Sequence, residues 1–265
     1  MPFAKYLAIL VWIAIFSTIG CAGGVRVDKI DSPDDDSPPP DSNVDFSLVA
    51  PHEAEILALG VSETLFPLPE LVEQFRYDLA AIRTAYGFSP IHSTRPRTGW
   101  MHAIEIQFDD TAAHEFIMGG YYQWNELNAE LGPVGIVPLE SERVVLDFAA
   151  TFNPCLAAEL YEELPGILSA TPLFDTTDGP EIFIGFSEWH GYTYLFRYAY
   201  GDCGYRCRNE EYYYFRFNDI GPILVGRWDP SLAGAPAWWH EANDERIECS
   251  CQPPLPKMPK KTRRK

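Results

Sequence analysis

Five aromatic residues, Tyr192, Tyr194, Phe196, Tyr198 and Tyr200, occupy every second position of one segment. In an extended strand this spacing sends all five side chains to one face. An open ladder of this kind could stack sugars or other flat ligands, whereas a ladder facing helices would be core. Tyr213, Phe215 and Phe217 repeat the pattern further on. Thr193, Leu195, Arg197 and Ala199 take the opposite face of the first segment, and a strand that is apolar on both sides points to burial. Arg197, Arg206, Arg208, Arg216 and Arg227 gather in the same stretch. They could receive an anionic ligand, although their simplest task is to pair local carboxylates. Trp238-Trp239-His240-Glu241 forms a second cluster, either a stacking site at Trp239 or a chain end packed on a sheet. The ligand-binding expectation rests on Tyr192, Tyr194, Phe196, Tyr198, Tyr200, Arg197 and Trp239.

Catalytic patterns are incomplete. His114-Glu115-Phe116-Ile117-Met118 places Met118 where a zinc-binding helix needs its second imidazole. Gly185-Phe186-Ser187-Glu188-Trp189 lacks the second Gly of a nucleophile elbow, so Ser187 reads as a strand residue. His102 alternates onto an apolar strand face and reads as a core histidine. The sequence therefore implies no catalytic residue, metal or cofactor. An enzyme reading, a hydrolase, would require His102, His190 or His240 to meet carboxylates in three dimensions.

Lys5 precedes an apolar run over residues 6–15, followed by Thr18-Ile19-Gly20-Cys21. A basic start, about ten apolar residues and a small-residue cut site describe a secretory signal peptide over residues 1–20. The run is short for a bilayer span, which takes about 20 apolar residues. Thr18-Ile19-Gly20-Cys21 resembles the bacterial lipobox, which implies cleavage and acylation of Cys21. The expected address is the cell envelope, with the membrane as partner through the lipid; Ala22 after the cysteine implies the outer membrane in a Gram-negative cell. Residues 21–45 form an acidic, Pro-rich spacer and residues 253–265 a basic tail. Both are expected to be disordered, because neither can bury enough apolar surface to offset ordering entropy. The aspartates of the spacer lack the Gly and terminal Glu of a calcium loop.

Export makes disulfides the default for the remaining cysteines. Cys203 and Cys207 are expected to bridge locally. A zinc site with Cys249 and Cys251 would have the right ligand count but not the usual spacing. Cys155 reads as a buried free thiol at a helix start, and spacing assigns it no partner. Between residues 46 and 252 there are eleven arginines, no lysine and thirty-one acidic residues, a net charge near −20. Such a surface repels nucleic acid, so no nucleic-acid partner is expected.

Positioning these residues falls to an α+β globular region over residues 46–252. One amphipathic helix over 67–87 comes first, with Leu68, Leu71, Val72, Phe75, Leu79 and Ile82 at helical spacing. Strands follow at 100–108, 134–139, 143–148 and 167–172. A helical stretch broken at Gly119-Gly120 lies between the first two. A helix starting at Asn153-Pro154, with a Leu156, Leu160, Leu164 stripe, precedes the last. The order over about 100–172 is β-α-β-β-α-β, that of a ferredoxin-like unit. Strands at 181–188, 192–200, 211–217 and 222–228 with short links then predict an antiparallel β-meander over about 181–229.

Leu164-Pro165-Gly166-Ile167 followed by Ala170-Thr171-Pro172 resembles the last strand of subtilase propeptides, which share this order; the resemblance implies a protease-inhibitor-like domain. Gly201-Asp202-Cys203 with Cys207 and a following aromatic strand resembles a phrase of uncharacterised secreted bacterial proteins, which implies export. The favoured expectation is a non-catalytic envelope lipoprotein that binds or scaffolds, with an envelope glycan or protein as partner.

Overall fold

The computed structural model describes residues 44–247 except 51, 63, 97–99, 141, 175–177 and 204–206. The leader, the spacer up to residue 43, the basic tail, Cys21, Cys249, Cys251 and Arg206 lie outside the described residues, as does the side chain of His102.

Three helices, rather than the one expected, precede the first strand: α1 (Glu53–Val61), α2 (Pro69–Ala85) and α3 (Ser89–Ser93), after a short 3-10 turn at Phe46–Leu48. Helix α1 escaped the periodicity because Ile56, Leu57, Ala58 and Leu59 are buried on successive positions, leaving no polar stripe to mark a period. Helix α2 begins with Pro69, which has no N–H to leave unpaired, and buries Phe75, Leu79 and Ile82. The two helices are tied by a buried ion pair, Arg83 to Glu53 at 2.6 Å, and Arg83 also donates to the Leu48 and Thr94 carbonyls.

The first sheet contains β1 (Trp100–Phe108), β2 (Pro133–Glu140), β3 (Arg143–Phe148) and β4 (Ile167–Phe174), in spatial order β2-β3-β1-β4 with every pair antiparallel. Helices α4 (Asp110–Ile117) and α5 (Asn125–Leu131) link β1 to β2, and α6 (Pro154–Glu162) links β3 to β4. Asp109 caps α4 by accepting the Ala112 N–H at 2.7 Å, and Asn153 caps α6 by accepting from Cys155 and Leu156. Ile104, Ile106, Phe108, Val144, Leu146 and Phe148 meet these helices in one core. The expected leucine stripe of α6 is corrected: the buried face is Ala157, Ala158 and Tyr161, while Leu156 and Leu160 are half-buried. The small alanines let the helix sit close to the sheet, and the leucines flank the contact. Gly166 turns with φ 86°, and a methyl there would come within 2.5 Å of the Ala112 side chain.

The second sheet contains β5 (Glu181–Ser187), β6 (Gly191–Tyr200), β7 (Asn209–Asn218) and β8 (Gly221–Trp228), paired antiparallel in chain order. Helices α1, α2 and α3 cover one face, where Phe75, Leu79 and Ile82 of α2 and Ile91 of α3 meet Ile182, Ile184, Tyr194, Phe196, Tyr213 and Phe215. Helix α7 (Ala237–Asp244) covers the other, with Trp238, Trp239 and Ala242 on Phe183, Leu195, Tyr212, Tyr214 and Trp228. Beyond α7 the chain runs along the edge of β5: Phe186 N–H donates to Glu245 O and Ile247 N–H to Ile184 O, both at 2.9 Å. The fold is thus α+β, with two antiparallel four-stranded sheets.

Candidate functional site

The aromatic ladder divides into a sealed part and an open part. Phase along β6 sends its five rings to the face that α1 and α2 cover. Phe75 meets Tyr192 edge-on at 4.9 Å and Tyr194 at 6.3 Å, and Phe196 packs on Phe215 at 5.3 Å. Tyr194 and Phe196 have no exposed surface, and Tyr192 is half-buried. A ligand cannot stack on the middle of the ladder, which is hydrophobic core.

Tyr198 and Tyr200 lie toward the opposite end of β6 from Tyr192. Their rings stack on each other, centroids 5.0 Å apart and planes 27° from parallel, and Tyr200 is 37% exposed. The β6–β7 register puts Glu211 beside Tyr198, and the β7–β8 register puts Arg227 beside Tyr213 on the same face. The Glu211 carboxylate accepts through Oε2 from the Tyr213 hydroxyl at 2.5 Å and from Arg227 Nη2 at 2.7 Å. Among the described residues its Oε1 meets the Tyr200 hydroxyl, at 3.5 Å. The Arg227 guanidinium lies 5.5 Å over the Tyr213 ring and remains 60% exposed. Phe88, between α2 and α3, closes the inner side 5.4 Å from Tyr213. The result is a shelf: Tyr200, exposed and stacked on the half-buried Tyr198, with the mostly buried Glu211 carboxylate and the exposed Arg227 side chain beside it.

Burial and then the Glu211 charge push the Tyr213 hydroxyl well up. Burial, then Glu211 and Asp229, raise Tyr200. Both phenols therefore stay protonated as donors.

The remaining site residues fall elsewhere. Arg197 points to the opposite face, where it grips Asp178 with both terminal nitrogens at 2.6 and 3.0 Å and also pairs with Glu210. Burial acts to raise Asp178, but hydrogen bonds from Arg197 and the Cys207 N–H outweigh it and hold the carboxyl below its ordinary range. Arg197 is thus engaged by local carboxylates on the side away from the shelf. Trp239 packs against Tyr212 at 4.6 Å and Trp228 at 4.5 Å, also on the far face. Arg216 lies over Tyr214 and pairs with Glu241 there, and Arg208 is exposed near Asp202.

Cys203 and Cys207 form a disulfide. Cys155, expected to be a free thiol, is disulfide-bonded, which corrects that reading; its partner lies outside the described residues. Ser187 is a buried strand residue, and His190 and His240 are exposed on the β5–β6 turn and on α7. Among the described residues no three His, Cys, Asp or Glu side chains gather as a metal site, and no helix is long and apolar enough to cross a membrane.

Glu211 and Phe88 are the members that residue patterns did not single out. Alternation carries the signal for Glu211, which precedes Tyr213, Phe215 and Phe217 in phase. Phe88 carries none, since a loop determines its place. Compared with family models, with curated proteins and with solved structures, this chain matches none.

Proposed function

We propose that this chain is a binding module of the bacterial cell envelope, tethered through acylated Cys21, which meets its ligand at the Tyr198–Tyr200 shelf rather than transforming it. The observation that carries the reading is the change in cover along a single strand: Tyr194 and Phe196 are sealed, whereas Tyr200 opens to solvent beside Glu211 and Arg227. Exposed aromatic surface with polar groups at its margin is how proteins present a recognition surface. The leader, lipobox phrase and spacer supply the tether and the reach.

Two measurements test it. Mass spectrometry of the native protein should find the chain starting at Cys21 with acyl mass attached; an intact leader without acyl mass would refute the tether. Pull-down on purified envelope fragments should succeed with the wild type and fall at least tenfold for Tyr200→Ala, with unchanged melting temperature. Turnover of a glycan or peptide would replace the binding reading with the hydrolase one.

A second reading has its own support. The strand order β2-β3-β1-β4 supports a ferredoxin-like reading, and the phrase Leu164-Pro165-Gly166-Ile167 that leads into edge strand β4 resembles that of subtilase propeptides. On this reading the first sheet is a protease-inhibitor-like domain. Absence of inhibition across a panel of subtilisin-type proteases would remove it.

A further inference from the structure

We propose, resting on the shelf reading above, that the ligand class is a neutral pyranose-bearing glycan, held by a pair of neighbouring hydroxyls between Glu211 and Arg227. The shelf retains unused hydrogen-bonding capacity. Glu211 Oε2 is occupied by Tyr213 and Arg227, whereas Oε1, on a side chain that is 12% exposed, has among the described residues the 3.5 Å contact with Tyr200. A carboxylate oxygen carries two acceptor sites, so Oε1 can accept a hydroxyl proton. Arg227 uses Nη2 toward Glu211 and, at 60% exposure, still presents donors to solvent.

An acceptor and a donor locked together by a 2.7 Å ion pair match two adjacent hydroxyls, one donating and its neighbour accepting. Tyr200, exposed and backed by the half-buried Tyr198 on which it stacks, then supplies the apolar surface for the C–H face of the same ring. A lipid chain, which has neither donor nor acceptor, would use this surface but not the fork.

Charge selects within the sugars. Glu211 is matched by Arg227, but Asp229 also acts on Tyr200, and the folded region as a whole is strongly acidic. A uronate or phosphorylated sugar would bring its charge to a surface of its own sign. A neutral ring meets no such opposition.

The test is calorimetry of the full chain with cellohexaose, mannohexaose and hexagalacturonate at low ionic strength, alongside the envelope pull-down. The proposal expects at least one neutral hexasaccharide to bind at least tenfold more tightly than hexagalacturonate. Glu211→Gln, which keeps an acceptor but removes the charge, should narrow that gap, and Tyr200→Ala should abolish neutral binding without moving the melting temperature. Equal or tighter binding of hexagalacturonate overturns the ligand class while leaving the shelf in place. So does envelope binding that depends on Tyr200 with no affinity for either neutral sugar. Envelope binding indifferent to Tyr200 overturns the shelf itself.

Discussion

Asp78 is a carboxyl in the wrong solvent. It lies on the buried side of α2, accepting hydrogen bonds from the Tyr194 hydroxyl and from Gln74 Nε2 at 2.9 Å. Burial raises its pKa to about 6, although both hydrogen bonds work to lower it. The folded chain therefore holds this proton more tightly than the unfolded one does. Stability from this group is greatest in acid, declines as pH rises from about 4 to about 6, and is level above that. The gap corresponds to about 3 kcal/mol, since one pKa unit is about 1.4 kcal/mol. Asp78→Asn removes the ionisation and keeps an acceptor for Tyr194. Denaturant unfolding should show the variant more stable at pH 8 by about 1–3 kcal/mol, with the wild type's decline between pH 4 and 6 lost. A variant that is less stable at pH 8 would mean the ionised carboxylate is a net asset there. The shelf, by contrast, was half legible. Tyr198, Tyr200 and Arg227 stand out in the sequence, but which rungs of the ladder stay open depends on where α2 and α3 end across the sheet, and no spacing encodes that.

At the scale of elements, alternation was the dependable signal. Strands β1 and β3 match their expected limits because every second residue, Ile104, Ile106 and Phe108 in β1 and Val144, Leu146 and Phe148 in β3, is apolar and buried. The caps at Asp109 and Asn153 were visible for the same local reason. Helix α1 was invisible because four successive residues, Ile56 to Leu59, are apolar and buried, and the stripe of α6 was misassigned because alanines can pack where leucines would hold the helix off. Helix α7 is seated by shape rather than by pattern. Gly226 on β8 leaves room for the Trp238 indole, and any methyl at that position would overlap the ring. Gly226→Ala should therefore cost about 1–3 kcal/mol, as overpacking does, and shift tryptophan emission to the red as Trp238 is displaced. Unchanged emission would mean the helix yields without losing its contact.

Over the whole molecule, three hydrophobic clusters sit on two sheets, one on the first sheet and one on each face of the second, and a stitch between the sheets is visible. The Asn153 N–H at the start of α6 donates to the Leu65 carbonyl in the link between α1 and α2, at 2.8 Å, and the Leu65 side chain packs against the first core. The N-terminal helices that roof the second sheet are thus also fastened to the first. Acidic residues far outnumber arginines across this body. Self-repulsion of that kind destabilises a compact state and is screened by salt, with a Debye length of about 10 Å at 0.1 M. The melting temperature should rise by a few degrees between 10 and 150 mM sodium chloride; a fall would show that paired charges outweigh the repulsion.

The short run over residues 245–247 has a further consequence. By donating to and accepting from Ile184 and Phe186, it occupies backbone groups that an edge strand would otherwise offer to any passing chain. The strand beneath, Glu181-Ile182-Phe183-Ile184-Gly185-Phe186-Ser187, is rich in β-formers and short of charge, a composition prone to templated self-association. These three residues serve as an aggregation guard: a chain ending at Asp244 should give sedimenting, thioflavin-positive material at concentrations where the full chain stays clear.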